Sequence, residues 1–334
     1  MQTPEELAPL GRRQHGRFDR RPIFVNPLEP YLGGTRRLRR LRLKEWIGWT
    51  LIHPELSCSM ILQDAHYLAS SELYVRDAAS GRLTQHARTL RGGSLHLPER
   101  LYPSTPRVDA KGYAIGYDFG SSADQHTIEV DIAGTATELP VSVRLTLDGA
   151  RASAPLSVSQ PLGGKAAMYT HKAVFPAAGT VAVGDQVYTF DPARDLAILD
   201  EHKTFLPYRT RWLWSTFAAV DADGIVGANV CQRPAVAGTP GESCLWLPAP
   251  YRCEGLDDVE LTPESDDPLA RWRVRTPDGR LDVVFTPDGR KDVKHQLLLV
   301  AIDYWQLYGT YTGTVGDRRV EGVRGVLESM TARL

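Results

Sequence analysis

The sequence lacks the long apolar segments and the charge bias that mark membrane proteins and nucleic-acid-binding proteins. None of its 334 residues lies in an apolar run near the roughly 20 residues that a membrane-spanning helix needs. Its 39 basic and 40 acidic side chains leave a net charge of −1, so no overall field would attract nucleic acid. We therefore expect a folded protein with neither a membrane span nor a nucleic-acid partner.

Cysteine is also scarce, and the common catalytic motifs are missing. The four cysteines form no C-x-x-C pair; they are Cys58, Cys231, Cys244 and Cys253. Residues 1–30 contain no apolar segment of the signal-peptide kind, which predicts reduced thiols and a cytoplasmic location. There is no G-x-S-x-G, P-loop, G-x-G-x-x-G or H-E-x-x-H sequence. Asp64 and His66 share a strand face without an evident third ligand, so we predict neither a metal nor a cofactor.

Short alternating segments separated by turn residues fill most of the chain. Residues 113–119 and 141–147 alternate apolar and polar side chains, as half-buried strands do. Regular spacing of such segments favours a sandwich or barrel over alternating strands and helices. The sequence therefore predicts an all-β fold, with helices expected only at residues 192–199 and in the last dozen residues.

Proline and glycine divide the chain into three parts. Residues 1–35 are rich in proline and predict an extended N-terminal arm. A second break, near residues 152–165, separates a first β domain (residues 36–160) from a second (residues 161–334).

The segment Arg36–Lys44, directly after the arm, contains six basic residues. It has two interpretations: a solvated basic face with Leu38, Leu41 and Leu43 turned to the core, or a cationic rim that holds a carboxylate or phosphate.

The segment from residue 206 to residue 216 has the clearest pattern in the chain. Strict alternation places Tyr208, Trp212 and Trp214 on one side of a strand and Arg209 and Arg211 on the other. Aromatic side chains aligned in this way line ligand cavities, but they also fill the cores of small barrels. The aromatic side is a candidate binding surface.

A hairpin extends this surface to a second strand. If the turn Asp221–Gly224 closes the hairpin, Thr216 lies opposite Asn229 and Trp214 lies opposite Cys231. Directly opposed residues share a face, so Asn229 is predicted beside the tryptophans.

Several short motifs together resemble a known family. They occur in this order: Lys44-Glu45-Trp46, His171-Lys172, the segment Pro207 to Trp214, Glu242, Phe285-Thr-Pro287, Gln306-Leu-Tyr-Gly309, and Glu321-Gly322 through Glu328. From about residue 10 to its end, the chain resembles an uncharacterised bacterial family of unknown function in the calycin (lipocalin-like) clan. This family is distantly similar to the carotenoid hydratase and AttH group of two-domain proteins.

The resemblance implies two lipocalin-like β-barrel or sandwich halves with few short helices, and a small hydrophobic or polycyclic ligand. Members of the wider clan hydrate an isolated alkene or guide a cyclisation without a cofactor. The chain departs from the family pattern at Trp305, where relatives carry a histidine, and at Leu334, where they carry a tryptophan.

Three residues are candidate acid–base groups. Glu242 precedes an apolar strand, where a carboxylic acid could stay protonated and act as proton donor; an exposed loop acid is the alternative. Asp303 lies in an apolar run and is the second candidate acid, although it points away from Gln306. His171, at a position that matches the family, is either a base or a capping or surface histidine.

Substrate contacts are expected from the side chains around the aromatic surface. Tyr304 and Gln306 share a strand face, and the resemblance places them at the pocket with Tyr208, Trp212, Trp214 and Asn229. Arg209 and Arg211 either bind a polar end of the substrate or form ion pairs with Asp200 or Glu201.

Three functions fit these features. The first is a cofactor-independent enzyme that hydrates, dehydrates or cyclises an apolar or polycyclic molecule in a β-barrel cavity. The second is a non-catalytic lipocalin-like carrier for a hydrophobic ligand. The third, a glycan-binding or glycan-active β-sandwich, rests on the aromatic surface alone.

Overall fold

A computed structural model describes residues 2–120, 124–234, 236–248, 250–296 and 300–334. The chain is nearly all β, which confirms the predicted fold class. It divides into two compact units: unit 1 comprises residues 1–159 and 168–205, and unit 2 comprises residues 160–167 and 206–334. This division assigns residues 168–205 to the first unit, whereas the sequence pattern placed the boundary near residue 160. No described helix has the length and apolar character to cross a membrane.

Unit 1 is built on a sheet of thirteen strands. Its elements are a short 3-10 helix (Pro9–Gly11), β1 (Gly16–Phe18), α1 (Gly33–Arg42), β2 (Leu43–His53), β3 (Leu56–Asp64), β4 (Leu68–Asp77), β5 (Leu83–Arg91), β6 (Arg107–Ala110), β7 (Tyr113–Phe119), β8 (Gln125–Ile132), β9 (Val141–Asp148), β10 (Leu156–Gly163), β11 (Ala166–Val183), β12 (Gln186–Phe190) and β13 (Leu196–Phe205). The order is β5-β4-β3-β2-β13-β11-β9-β8-β7-β6; β10 pairs with β1 and β11, and β12 pairs with β11. Alternate side chains of these strands enclose one apolar core around Trp49.

Helix α1 is where the sequence predicted a basic face without regular structure. Its arginines are exposed or half-buried, but Leu38 and Leu41 do not face the core as predicted: they are 69% and 48% exposed. Only Leu43, the first residue of β2, is buried. The helix therefore contributes no buried residue to unit 1.

Unit 2 is a curled sheet of nine strands. They are β14 (Arg209–Asp221), β15 (Gly224–Gln232), β16 (Cys244–Leu247), β17 (Arg252–Gly255), β18 (Glu260–Pro263), β19 (Trp272–Arg275), β20 (Leu281–Gln296), β21 (Ala301–Val315) and β22 (Arg318–Arg333). Their order is β17-β16-β15-β14-β22-β21-β20-β19-β18. The chain's last strand, β22, thus lies between β14 and β21.

Both predicted helices are strands. Residues 192–199 lead into β13, and the last dozen residues belong to β22. Each of these strands is inserted between two others, and one of its edges pairs with a strand far away in sequence: β13 with β2, and β22 with β14. Nonlocal pairing of this kind overrides local helix preference.

The β14–β15 hairpin has the predicted register. Asp221 pairs with Gly224, Thr216 with Asn229 and Trp214 with Cys231. The apolar core of unit 2 lies on the side of β14 that carries Phe217, with Leu213 packed against it. Trp212 and Trp214 have the opposite parity, so they lie on the face away from this core and not inside a barrel as predicted.

Candidate functional site

The face of unit 2 that carries the tryptophans also carries a row of polar side chains across five neighbouring strands. In register, Cys231 (β15) is opposite Trp214 (β14), Trp214 is opposite Glu328 (β22), and Glu328 is opposite Gln306 (β21). Gln306 is in turn opposite Lys291 of β20. Because directly paired residues share a face, these side chains form one continuous row.

A second row of the same register runs beside the first. Met330 (β22) is opposite both Trp212 (β14) and Tyr304 (β21). We call the surface formed by the two rows the Glu328 face, defined by Trp212, Trp214, Lys291, Tyr304, Gln306 and Glu328.

Glu328 is the centre of this face. Its Oε1 atom accepts a hydrogen bond from Trp212 Nε1 at 3.0 Å. Its Oε2 atom accepts one from the Tyr304 hydroxyl at 2.8 Å and one from Gln306 Nε2 at 3.3 Å. Three donors converge on this one carboxyl group and fix its position on the face. The side chain is half-buried, which leaves it open to a ligand.

Lys291 lies on the same row, directly opposite Gln306 and two strands from Glu328. Its side chain is buried, and its Nζ atom lies 6.0 Å from the centroid of the Tyr304 ring. An ammonium group beside an aromatic ring is stabilised by the electrons of the ring face. The Glu328 face therefore carries a carboxyl group and an amino group beside its aromatic side chains.

Trp214 and Asn229 are fixed by a chain of hydrogen bonds at the edge of this face. Trp214 Nε1 donates to Asn229 Oδ1 at 2.9 Å, and Asn229 Nδ2 donates to the Glu242 carbonyl oxygen at 2.7 Å. Trp214 is only 8% exposed and Asn229 is fully buried. The predicted proximity of the two side chains is confirmed, and their polar atoms are used to hold the local structure.

Glu242 itself is buried and pairs with Arg233. A guanidinium group in contact with a carboxyl group favours the carboxylate. The protonated acid that the sequence led us to expect at Glu242 is therefore not favoured by its surroundings. What Glu242 contributes to the Glu328 face is its backbone carbonyl.

The other predicted residues of unit 2 lie around the Glu328 face or behind it. Tyr208 is 46% exposed, one residue before β14 begins. Asp303 is not the buried carboxylate that its apolar neighbours indicated: it is 56% exposed and lies 3.5 Å from Lys294 Nζ. Arg209 and Arg211 lie on the face opposite to Trp212, because they alternate with it on β14.

Arg209 and Arg211 line a cavity of about 710 Å³ in unit 2. The predicted ion pairs with Asp200 and Glu201 do not form, since Asp200 pairs with Lys172 and Glu201 pairs with Arg21. The cavity walls combine arginines with apolar side chains; they comprise Leu162, Pro207, Arg209, Thr210, Arg211, Arg233, Pro234, Gln296, Ala301, Ile302, Asp303, Thr331, Ala332 and Arg333.

His171 belongs to a buried polar cluster in unit 1. It is 3% exposed, so the interpretation as a surface histidine is wrong. Its Nε2 atom lies 3.4 Å from the Tyr102 hydroxyl, and the Tyr102 ring stacks on His126. Burial lowers the pKa of His171 to about 4 and that of His126 to about 4, so both rings are neutral at pH 7.

Arg21 of the N-terminal arm ties this cluster to β13. Its Nε and Nη2 atoms each lie 2.7 Å from a carboxylate oxygen of Glu201, and both side chains are buried. Burial acts to raise the pKa of the Glu201 carboxyl, but its contacts with Arg21 hold it below its usual range. This pair anchors the arm, and its complete burial separates it from any ligand.

A second charged group lies on the opposite side of β13. Asp200 Oδ1 is 2.5 Å from Lys172 Nζ and 3.2 Å from His202 Nε2, and Asp200 Oδ2 accepts a hydrogen bond from Trp46 Nε1 at 3.2 Å. The rings of Trp46 and His202 stack at 4.2 Å. Sequence pattern does not connect Trp46 with this group, because Trp46 is 154 positions from Asp200 along the chain.

Asp64 and His66, the possible metal ligands, serve to shape a loop. Asp64 Oδ1 accepts hydrogen bonds from the backbone N–H groups of His66 and Gly93 at 2.6 and 3.0 Å. His66 Nε2 lies 2.7 Å from Glu45 Oε2, and Lys203 Nζ lies 2.5 Å from Glu45 Oε1. The described residues contain no cluster of three or more histidine, cysteine, aspartate or glutamate side chains that could hold a metal ion.

Comparison with known proteins places the chain in a family. It matches the domain of unknown function DUF2804 over residues 12–334. The chain belongs to this family. A search of curated proteins gave no match.

Two solved structures share the fold. CghA with Sch210972 is 10% identical, with a TM-score of 0.53 over 87% of this chain and 88% of that chain. Kievitone hydratase from Nectria haematococca is 11% identical, with a TM-score of 0.52 over 95% of this chain and 97% of that chain. The match confirms a family of unknown function, as the sequence resemblance implied, and the two structures confirm the fold.

The sequence missed two of the polar residues on the Glu328 face. Glu328 is the last residue of the last family motif. The last dozen residues were predicted to form a helix, and in a helix Glu328 and Met330 do not share a face as they do in β22. Lys291 follows the turn-like Pro287-Asp-Gly289, which gave no strand signal. Both residues can be assigned to the Glu328 face only from the register of β20, β21 and β22.

Proposed function

We propose that the protein is an acid–base enzyme of the hydratase, dehydratase or cyclase type. It acts without a cofactor on an apolar or polycyclic small molecule. The observation that carries this proposal is the half-buried Glu328 carboxylate, held by Trp212 and Tyr304 on an aromatic surface. The fold shared with kievitone hydratase supports the reaction class, and the assignment itself rests on these side chains, because one fold serves many reactions.

The two charged residues divide the proton transfers between them. In the dehydration direction, Glu328 takes a proton from a substrate carbon, the neighbouring C–O bond breaks, and the departing hydroxide receives a proton from the Lys291 ammonium to leave as water. Hydration is the reverse: water gives its proton to Lys291 as its oxygen bonds to carbon, and Glu328 returns a proton to the adjacent carbon. A positioned acid or base of this kind contributes about 10²–10⁴-fold to a rate.

The aromatic rings hold the substrate. Trp212 and Tyr304 each point a polar atom at Glu328, which leaves their ring surfaces for contact with an apolar ligand. Trp214 is buried behind them and fixes the position of β14 against Asn229. An apolar substrate on these rings excludes water from Glu328, which strengthens its interactions with the reacting atoms.

Native mass spectrometry of the protein purified from its own source would identify the substrate class, through any small molecule that remains bound. The recovered compound is then incubated with wild-type protein and with Glu328→Gln in water enriched in ¹⁸O. We expect the wild type to exchange or incorporate oxygen, and the variant to do so at least about 100-fold more slowly.

A matched control is Glu254→Gln, which replaces a carboxylate on β17 outside the Glu328 face. Conversion that is equal in wild type and Glu328→Gln would contradict the proposal. Tight binding with no conversion by the wild type would replace it with the carrier function.

A further inference from the structure

Four arginines line the cavity of about 710 Å³ in unit 2, and three of them have no acidic partner among the described residues. Arg209 and Arg211 are exposed and Arg333 is half-buried. Within the described part of the chain, none of these three makes an ion pair or a side-chain hydrogen bond. The residues outside the described ranges are methionine, serine, alanine and leucine, so their side chains carry no carboxylate.

The register places two of these arginines in an unfavourable arrangement. Arg209 of β14 is directly opposite Arg333 of β22, and Arg211 follows on the same side, opposite Thr331. Like charges at directly paired positions, with Cβ atoms roughly 4.5–5.5 Å apart, destabilise a sheet. A bound anion would remove this repulsion.

The two other charged residues that line the cavity are already neutralised. Asp303 lies 3.5 Å from Lys294 Nζ, and Arg233 pairs with Glu242. The cavity therefore keeps an excess of three positive charges. Its remaining walls include apolar side chains such as Leu162 and Ile302.

We propose that this cavity binds an amphipathic oxyanion: a carboxylate or phosphate head held by Arg209, Arg211 and Arg333, with an apolar body against the remaining walls. Planar guanidinium groups match the geometry of both head groups. A volume of this size accommodates a small organic molecule. None of the six residues that define the Glu328 face lines this cavity, so the two sites are distinct.

Isothermal titration calorimetry with four probes tests this inference: octyl phosphate, octanoate, octanol and inorganic phosphate. We expect the two amphipathic anions to bind. Octanol, which lacks the anionic head, and inorganic phosphate, which lacks the apolar body, should bind at least about tenfold more weakly. The tighter of the two anions identifies the head group. Equal binding of octanol and octyl phosphate would overturn the proposal.

Single variants Arg209→Gln and Arg333→Gln should each weaken octyl phosphate binding about tenfold or more, as loss of a charged hydrogen bond does. Arg273→Gln is the control, because Arg273 is an exposed arginine of β19 that does not line the cavity. Unchanged affinity in both cavity variants, or an equal loss in the control, would overturn the site.

The same titration keeps this inference separate from the proposed enzyme. Glu328→Gln should bind octyl phosphate within twofold of wild type, because Glu328 does not line the cavity. Loss of anion binding in that variant would contradict a separate site. If the protein is catalytically active but binds none of the anions, the anion site is overturned and the proposed enzyme function is unaffected.

Discussion

Replacement of Arg21 by methionine tests how the N-terminal arm is held to unit 1. The Arg21 guanidinium makes two hydrogen bonds of 2.7 Å to Glu201. It also donates to the carbonyl oxygens of Pro22, Ile23 and Glu99 at 2.9, 3.2 and 3.0 Å. Arg21→Met would leave the fully buried Glu201 carboxylate without its ion-pair partner.

The expected loss in the free energy of unfolding is about 3–5 kcal/mol, the usual cost of removing one partner from a buried pair. Urea denaturation measures it, and hydrogen exchange of the β13 amides assigns the effect to unit 1. The control is Arg273→Met, whose ion pair with Asp282 is about half exposed; because solvent screens an exposed pair, its loss should cost far less than the loss of the buried pair.

The double variant Arg21→Met, Glu201→Met separates the cost of an isolated charge from the value of the pair. Because two apolar side chains of similar size need no counter-charge, the double variant should regain most of the stability lost in the single one. A loss below about 1 kcal/mol in Arg21→Met would refute the reasoning, as would a double variant no more stable than the single.

The same pair has a defined pH dependence. The pKa of Glu201 is lowered in the folded protein, so its contribution is present above the pKa of the unfolded chain and is lost as pH falls through the folded value. The difference in stability between wild type and Arg21→Met should therefore be largest near neutral pH and shrink under acid. A difference that is constant with pH would contradict this assignment.

The remaining predictions concern the interior of each unit. Burial lowers the pKa of His171 to about 4, so its NMR titration midpoint should lie near pH 4. The native state should lose stability as pH falls from about 6.5 toward 4, because only the unfolded chain takes up a proton in this range. A midpoint of 6–7 would contradict the burial of this ring. In unit 2, Gly309→Ala should lower stability by about 1–3 kcal/mol in thermal denaturation, because a Cβ atom there would lie within 2.1 Å of the Thr286 carbonyl oxygen. The control is Gly34→Ala in α1, where a Cβ atom meets nothing within 4 Å, so this change should leave stability unchanged or raise it. Similar losses of stability in the two variants would show that the close contact at Gly309 does not cause the loss.

The sequence predicted those parts of the fold that depend on local pattern. The β14–β15 hairpin could be aligned residue by residue because the turn Asp221–Gly224 fixes its register, and Asn229 was found beside Trp214 for that reason. The strand β22 could not be recognised in the same way. It forms a hairpin with β21, but its other edge pairs with β14, whose residues lie more than 100 positions away along the chain.

The candidate site was predicted in part for the same physical reason. Trp212 and Tyr304 were assigned to one surface from alternation and family resemblance, and the structure brings both to Glu328. Glu242 was chosen as the acid because its sequence neighbours are apolar, but its charge partner Arg233 becomes evident only in three dimensions. Ionic partners depend on tertiary contacts, which alternation does not encode.

The most direct test of the proposed activity is the rate of ¹⁸O incorporation into the recovered ligand by wild type, Glu328→Gln and Trp212→Phe. We predict a loss of at least about 100-fold in Glu328→Gln. Trp212→Phe should lose less, because it removes one of three donors to the carboxylate and keeps an aromatic ring. Incorporation by Glu328→Gln at the wild-type rate, with the variant folded and the ligand bound, would contradict the assignment of Glu328 as the catalytic carboxylate.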